Sequence, residues 1–159
     1  PCGYFGDPKR DCRCNPRQVE NYRQRISGPL LDRIDLHVEV PLINYKELSS
    51  TATGESSASI RQRVMAARRI QATRFAKHPG VTTNSGMSTK LVQTHCQLDS
   101  ESSSLLEQAM EHLNFSARAH DRILKVARTL ADLEESQNIR SPHILESIQY
   151  RTLDRSLQL

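Results

Sequence analysis

Apolar residues recur at helical spacing through the second half of the chain and alternate strictly with polar residues in one earlier stretch. Four segments between residues 59 and 159 have the three-to-four-residue spacing of amphipathic helices. Their apolar positions are Ile60, Val64, Ala67 and Phe75; Leu105, Leu106, Ala109, Met110 and Leu113; Ile123, Ala127, Leu130 and Ala131; and Ile144, Leu145 and Ile148. Four short helices with short connections predict a compact helical bundle.

Capping residues and prolines mark the predicted helix boundaries in this half. The first segment runs from about Ser59 to Lys77, and Pro79-Gly80 ends it. Ser116 is the predicted N-cap of the third segment, and Ser141 is the predicted N-cap of the fourth, with Pro142 in its first turn. A short additional helix is predicted near Leu91.

The first 43 residues have a different pattern. Asn15 is a predicted N-cap with Pro16 at the first helical position, and the helix ends at the break Ser27-Gly28-Pro29. A helical turn over residues 29–33 follows. From residue 34 to 41 apolar and polar residues alternate, which predicts a strand. Its apolar face is Ile34, Leu36, Val38 and Val40. A single strand needs a partner, so we expect it to join a sheet formed by other residues or to be poorly ordered.

A serine- and threonine-rich run separates the two halves and predicts a linker. The sequence therefore predicts three parts: the end of one domain in residues 1–43, a linker in 44–58 and a helical domain in 59–159. Aromatic residues make up 4% of the chain and tryptophan is absent, which favours small helical packing units over a β-sandwich. The predicted fold class is mainly α, with a helix-plus-strand remnant of an α/β core before the bundle.

Basic residues are concentrated in one part of the chain. The net charge is +4, from 22 basic and 18 acidic residues, but residues 56–84 contain no acidic residue. The basic residues in this region are Arg61, Arg63, Arg68, Arg69, Arg74 and Lys77. Such a cluster suits DNA or polyphosphate. On a helical wheel these side chains spread around the cylinder, so a solvated helix is an equal alternative.

Three of the four cysteines lie close together, as Cys2, Cys12 and Cys14. Clustered thiols favour a metal site over a disulfide in a chain without a signal peptide, and zinc prefers four ligands. The candidate zinc site therefore needs a fourth ligand, from a histidine, Asp7, Asp11 or another molecule. The alternative is a loose, reducible loop. Cys96 stands alone and is predicted to be a small buried residue.

Arg33 lies directly between the predicted helical turn and the predicted strand. A rigidly presented guanidinium can neutralise the charge that develops on a phosphoryl group during its transfer. The alternative is a surface arginine paired with Asp32 or Asp35.

Two long segments resemble one known family. Arg25-Ile-Ser-Gly-Pro-Leu-Leu-Asp-Arg-Ile-Asp35 resembles the arginine-finger region of magnesium-chelatase-like AAA+ ATPases, most closely the ComM type. Residues 116–134, Ser-Ala-Arg-Ala-His-Asp-Arg-Ile-Leu-Lys-Val-Ala-Arg-Thr-Leu-Ala-Asp-Leu-Glu, are similar to a helix of the same group's C-terminal domain. The resemblance covers essentially the full chain, least well at residues 81–97.

The resemblance implies roles for particular arginines. Arg33 would be the arginine finger that reaches the nucleotide of the neighbouring subunit, and Arg118 would be the sensor 2 residue that contacts the subunit's own nucleotide. Arg122, one turn further on, is a candidate second contact. The alternative is that Arg118, Arg122 and Lys125 form a solvated helix face, with their charge balanced by Asp121. ComM-type proteins carry Cys-Pro-Cys ahead of Gly-Tyr, which places a fourth thiol just before Pro1.

The resemblance also implies the activity of the longer protein. It would be a homo-oligomeric, hexameric ring that uses ATP and Mg²⁺ to remodel DNA, as in branch migration during recombination of incoming DNA. The 159 residues contain no G-x-x-x-x-G-K-[S/T] motif, so we expect this chain alone not to hydrolyse ATP. Neither a signal peptide nor a membrane-spanning apolar run is apparent, so a cytoplasmic location is expected.

Three alternatives remain open at this point. The nearest is an ATPase subunit of magnesium chelatase, which inserts Mg²⁺ into a porphyrin, although that group generally lacks a cysteine-rich loop. The others are a non-enzymatic module that binds zinc and nucleic acid, and a plain helical interaction domain. No serine–histidine spacing indicates a catalytic triad.

Overall fold

A computed structural model describes residues 1–38, 40, 43 and 54–151, and the regular secondary structure of these residues is entirely helical. The N-terminal part contains α1, Pro16–Arg23, and α2, Gly28–Leu31. The C-terminal part contains α3, Ser57–Arg74; a 3-10 turn, Asn84–Gly86; α4, Thr89–His95; α5, Ser100–His112; α6, Ala117–Leu133; and α7, Ser141–Gln149. The predicted mainly α fold class is confirmed.

Side-chain caps explain where several helices begin. Asn15 accepts a hydrogen bond from the backbone nitrogen of Gln18 at 2.8 Å, and the Gln18 side chain accepts one from the Asn15 nitrogen at 3.0 Å. This reciprocal pair satisfies two amide groups that a helix N-terminus leaves unpaired. Ser116 caps α6 through the Ala119 nitrogen, as predicted. The prediction for α7 was one residue late, because Arg140 is its N-cap and Ser141 its first residue.

Helix α6 is the centre of the bundle. It packs most extensively against α7, and also against α3, α4 and the 3-10 turn, while α5 packs against α7. Its strongly amphipathic sequence places Ile123, Ala127 and Ala131 in the core with no solvent exposure. The core is completed by Phe75, Met87, Val92, Cys96, Leu106, Leu124, Ile139, Ile144 and Ile148. The predicted bundle is confirmed, with five α-helices in residues 54–151.

Two predicted apolar faces are only partly buried. Ala67 of α3 and Phe75, which follows α3, are buried. Ile60 and Val64 are 42% and 41% exposed, because the first half of this helix extends beyond the core. Leu145, predicted to face inward from α7, is 48% exposed. Helical spacing identifies a face, but it does not say how far along the helix the neighbouring elements extend.

The predicted strand is not formed in the part of it that the structure describes. Residues 34–38 and 40 have no strand structure, and residues 39, 41 and 42 lie outside the described part of the chain. Leu36 and Val38 are 48% and 64% exposed. A strand requires a hydrogen-bonding partner, and the described residues offer no second strand.

The predicted linker, residues 44–58, lies mostly outside the described residues, and its last two residues begin α3. The division of the chain into three parts therefore stays a prediction. Within residues 1–38 and 54–151, no helix is both long and apolar enough to cross a lipid bilayer.

Candidate phosphate-facing site

Arg33 follows Asp32, the C-cap residue of α2, and is exposed. The α2 turn continues through it, since the Arg33 nitrogen donates to the Leu30 carbonyl oxygen at 3.0 Å. Leu31, the residue that α2 buries, is 6% exposed and anchors the turn. The backbone of Arg33 is therefore fixed while its side chain faces solvent.

Both aspartates beside Arg33 are bound to other arginines. Asp35 forms an ion pair with Arg122 of α6. Asp32 lies 3.7 Å, Oδ1 to Nη2, from Arg151, which follows α7. The alternative expected from the sequence, a surface Arg33 paired with Asp32 or Asp35, is therefore not observed. Within the described residues the Arg33 guanidinium has no acidic partner, so it is available to an external anion.

Main-chain contacts add to these ion pairs. Arg151 is 1% exposed and donates from Nη1 to the Ile34 carbonyl oxygen at 2.8 Å. The His37 nitrogen donates to the Tyr150 carbonyl oxygen at 2.8 Å. Residues 32–37, which we call the Arg33 segment, are thus attached to the end of α7 and to α6. The attachment lies on both sides of Arg33 in the sequence.

A groove of about 340 Å³ separates part of the Arg33 segment from α6. Asp35 and Leu36 line one side, and Lys125, Thr129 and Tyr150 line the other. Lys125 donates to the Ser85 carbonyl oxygen at 3.1 Å, so it is held by the 3-10 turn. This contact argues against the alternative in which Lys125 belongs to a purely solvated face.

Arg118 lies in the first turn of α6 and is exposed. Its position beside the free amide groups of the helix N-terminus favours an anion there. Arg122, one turn later, is partly buried and forms an ion pair with Asp35, whereas Arg118 is exposed. Asp121 accepts from Thr89 at 3.1 Å and contacts His120, so it does not neutralise Arg118.

A buried polar cluster fixes the orientation of α6. Asp132 has no solvent exposure, and its two carboxylate oxygens accept from Arg74 at 2.5 and 2.7 Å. It also accepts from Arg128 at 3.1 Å and from Asn84 at 2.8 Å. Asn84 in turn accepts from Arg74 at 2.8 Å, which joins α3, the 3-10 turn and α6. Burial lowers the pKa of Arg128 from its ordinary value, with Asp132 opposing this shift.

Sequence reasoning missed this cluster. The i,i+4 spacing of Arg128 and Asp132 was a weak signal for one of its contacts. Arg74 and Asp132 are 58 residues apart, and nothing in the sequence pairs them. Arg74 is accordingly withdrawn from the predicted DNA-facing group, because its guanidinium is turned into the bundle.

The other five basic residues of that group are exposed: Arg61, Arg63, Arg68, Arg69 and Lys77. Arg63 forms a two-pronged ion pair with Glu55, at 2.7 and 3.0 Å. This hydrogen-bonded contact lowers the pKa of Glu55 and raises that of Arg63. Four residues therefore keep side chains without a described acidic partner. Arg61, Arg68 and Arg69 belong to α3, whose first half extends from the bundle, and Lys77 follows this helix.

The cysteines at the N-terminus converge. The sulfur atoms of Cys2, Cys12 and Cys14 lie within 4.8 Å of one another, and Cys2 and Cys12 are 3.6 Å apart. Among the described residues, no histidine, Asp7 or Asp11 joins this group as a fourth ligand. The separation suits thiolates around one zinc ion, with Zn–S bonds of about 2.3 Å.

Cys2 and Cys96 differ in their ionisation. Hydrogen bonds from the backbone of Tyr4 and Arg13 lower the pKa of Cys2 to about 6. A backbone hydrogen bond from Cys14 lowers the pKa of Cys12, but desolvation and the neighbouring Cys2 outweigh it and raise the pKa overall. Cys96 is buried as predicted, and burial raises its pKa to about 11.

Comparisons with known proteins identify the family of the chain. The family model for the C-terminal domain of magnesium chelatase subunit ChlI matches residues 54–151, and the model for subunit ChlI matches residues 1–48. Competence protein ComM of Haemophilus influenzae is 42% identical over 147 residues, which cover 92% of this chain and 28% of that protein. YifB of Escherichia coli is 44% identical over 146 residues, which cover 91% of this chain and 28% of that protein.

The chain thus spans little more than a quarter of the length of these relatives. The two ChlI models meet near the start of the helical bundle, and together they include both the Arg33 segment and α6. The C-terminal model alone covers more than half of the chain. The chain therefore belongs to the magnesium chelatase ChlI family, and its helical bundle corresponds to the C-terminal domain of subunit ChlI.

Proposed function

We propose that this chain is the C-terminal part of a ring-forming AAA+ ATPase that couples ATP hydrolysis to the remodelling of DNA. In this assignment Arg33 is the arginine finger of the neighbouring subunit's site, and Arg118 contacts the phosphates of the subunit's own nucleotide. Hydrolysis then depends on assembly of a homo-oligomeric ring, for which six subunits are proposed. The chain by itself, without a phosphate-binding loop motif, is inactive.

The observation that carries the proposal is the state of Arg33. It is an exposed guanidinium on a fixed backbone, and the two aspartates beside it are engaged by Arg122 and Arg151. A planar, permanently charged group held in this way can bind the equatorial oxygens of a transferring phosphoryl group. The family, whose members use ATP and Mg²⁺, supports the same interpretation.

The DNA part of the proposal rests on α3 and on one relative. Arg61, Arg68 and Arg69 are exposed on a helix that extends from the bundle, and Lys77 follows it. The relative from Haemophilus influenzae carries the name competence protein, which suggests a role with incoming DNA. Phosphate contacts of this kind depend on salt and not on base sequence.

We also propose a zinc site at Cys2, Cys12 and Cys14. Three thiolates at these separations fit the soft ligand set that zinc favours, and the bound ion would tie the N-terminal loop together. The fourth ligand comes from outside this group. Zinc analysis of the full-length protein tests this, since Cys12→Ser and Cys14→Ser each reduce bound zinc if the site exists.

The central experiment measures ATP hydrolysis by the full-length protein with and without branched DNA, at several salt concentrations. Stimulation by DNA supports the remodelling role. Hydrolysis that is indifferent to DNA favours a chelatase-like ATPase. Absence of hydrolysis under all conditions contradicts the ATPase assignment.

Substitution of Arg33 tests the assignment of the site. Arg33→Ala is expected to retain ATP binding and to lose about 10³-fold or more of the turnover. Arg33→Lys restores little, because an ammonium group lacks the planar fork. Arg17→Ala removes another exposed arginine, from α1, and serves as the control, with turnover unchanged.

The α3 surface is tested separately. The triple variant Arg61→Ala, Arg68→Ala and Arg69→Ala is expected to keep basal hydrolysis and to bind DNA more weakly. The slope of log affinity against log salt concentration should decrease by about 3, roughly one unit for each lost phosphate contact. An unchanged slope contradicts the assignment of this helix.

A further inference from the structure

We propose that Arg122 and Asp35 are positioning residues that connect the finger arginine, Arg33, to helix α6. This inference rests on the proposed function of Arg33 and Arg118. In this inference Arg122 does not contact phosphate directly, because its guanidinium is already bound to the Asp35 carboxylate.

The first step of the argument is the position of the ion pair. Asp35 lies two residues after Arg33, and Arg122 lies four residues, or one helical turn, after Arg118. The two proposed phosphate contacts are therefore linked through a single side-chain bridge. A displacement of the first turns of α6 is transmitted to the chain immediately beside Arg33.

The second step is that the same segment is held from a second direction. Arg151 binds the Ile34 carbonyl oxygen and lies beside Asp32, and the Tyr150 carbonyl oxygen accepts from the His37 nitrogen. Because Arg151 is buried, this attachment is part of the packed bundle. It fixes the base of the segment, while the Asp35–Arg122 pair fixes its orientation against α6.

The third step concerns exposure. The Arg122 and Asp35 side chains are 28% and 48% exposed, so their ion pair contributes little to the stability of the fold. An ion pair at this location that contributes little to the stability of the fold is suited to transmit a displacement. Binding of a nucleotide at Arg118 of one subunit would thereby adjust Arg33 in the site of its neighbour.

The experiment uses the full-length protein and compares Arg122→Gln, Asp35→Asn and the charge-exchanged double variant Arg122→Asp with Asp35→Arg. Each single variant is expected to lower kcat on the order of tenfold through misplacement of Arg33, with KM for ATP and ATP binding unchanged. The exchanged pair re-forms the bridge and restores most of the lost turnover. Asp121→Asn, which removes the carboxylate next to Arg122, is the control with turnover unchanged.

Other outcomes contradict the inference. If Arg122→Gln weakens ATP binding and the exchanged pair does not recover, Arg122 is a phosphate ligand and not a positioning residue. If both single variants turn over normally, the bridge has no role. Arg33→Ala, measured in parallel, separates failure of the proposed function from failure of this inference. Normal turnover in Arg33→Ala contradicts the proposed function. Lost turnover in Arg33→Ala with normal turnover in Arg122→Gln contradicts only the role of the bridge.

A second measurement does not depend on activity. The His37 amide donates to the Tyr150 carbonyl oxygen, so it reports attachment of the Arg33 segment. In hydrogen exchange, its protection is expected to decrease in Arg122→Gln and to recover in the exchanged pair. Protection that is unchanged in all variants overturns the inference, since the segment would then be held without the bridge.

Discussion

The N-terminal region, residues 1–38, and the bundle, residues 54–151, are held together in different ways. Leu31 is the one buried residue among residues 1–38, and leucine, isoleucine and valine side chains after it are exposed. The bundle, in contrast, has a continuous core around α6 and a buried charge cluster around Asp132. The first region is therefore shaped by local turns and by attachments to the second.

This difference matches the proposed roles. An arginine that must reach another subunit has to be exposed, and Arg33 is presented by a segment with few apolar contacts. Its position then has to be set by other means, which the bundle supplies through Arg122 and Arg151. Arg118, in contrast, lies in the first turn of a helix whose later turns are packed in the core. The two arginines are therefore positioned by different physical interactions.

The largest contrast between the regions is expected in the reactivity of their cysteines. At pH 7, with pKa values of about 6 and about 11, roughly nine-tenths of Cys2 and on the order of one in 10⁴ of Cys96 are thiolate. In the metal-free native protein, iodoacetamide should modify Cys2 rapidly and Cys96 only after unfolding. The Cys2 rate should decrease as the pH falls through about 6, because the thiolate is then protonated.

Mass spectrometry of peptides after timed alkylation provides the measurement. Zinc added before the reagent should protect Cys2 if the site binds metal. Equal rates for Cys2 and Cys96 in the native protein would contradict the burial of Cys96.

The next largest effect is expected from the charge cluster. Asp132→Ala leaves the buried guanidinium of Arg128 and the largely buried one of Arg74 facing each other without their shared carboxylate. The free energy of unfolding should decrease by about 3–5 kcal/mol. Urea unfolding followed by circular dichroism measures this. Asp121 is only partly buried, so Asp121→Asn should change the free energy of unfolding by less than about 1 kcal/mol. A similar loss in both variants would contradict the special role of the buried cluster.

A truncation in the apolar core should have a slightly smaller effect. Ile123 has no solvent exposure and lies on the inward face of α6. Ile123→Ala is expected to lower the free energy of unfolding by about 2–5 kcal/mol, from lost burial and the cavity that remains. The same urea titration measures it. A loss below about 1 kcal/mol would mean that α6 is not the centre of the core.

The smallest effect is expected in the segment that was predicted to be a strand. Val38 is 64% exposed, so Val38→Ser should change the free energy of unfolding of this chain by no more than about 0.5 kcal/mol. Thermal unfolding of the two proteins side by side measures the difference. A larger loss would show that Val38 is buried against another part of the chain, which would contradict the comparison between the regions.

Much of the bundle could be predicted from the sequence, because the patterns that predict its helices are local. The apolar spacing of α6 and the serine at its N-cap follow from residues within one helix, and the structure confirms both. The exposure of the start of α3 and of Leu145 could not be predicted from the sequence, since it depends on where neighbouring helices end. The strand failed for the same reason, because alternation indicates a face but cannot provide a partner.

For the candidate site, sequence identified residues but not their contacts. The resemblance pointed to Arg33, Arg118 and Arg122. The ion pairs of Asp35 with Arg122 and of Asp32 with Arg151 join residues that are 87 and 119 positions apart. The sequence also grouped Arg74 with the surface arginines, whereas the fold places it against Asp132.

The sequence by itself determined the amphipathic helices of the bundle, the N-caps Asn15 and Ser116, the family and the residue types available for phosphate, metal and DNA. The tertiary structure decided which charges are used internally and which remain exposed. The physical reason is that helix formation depends on neighbours within a few residues, whereas the partner of a charged side chain depends on which distant element packs beside it.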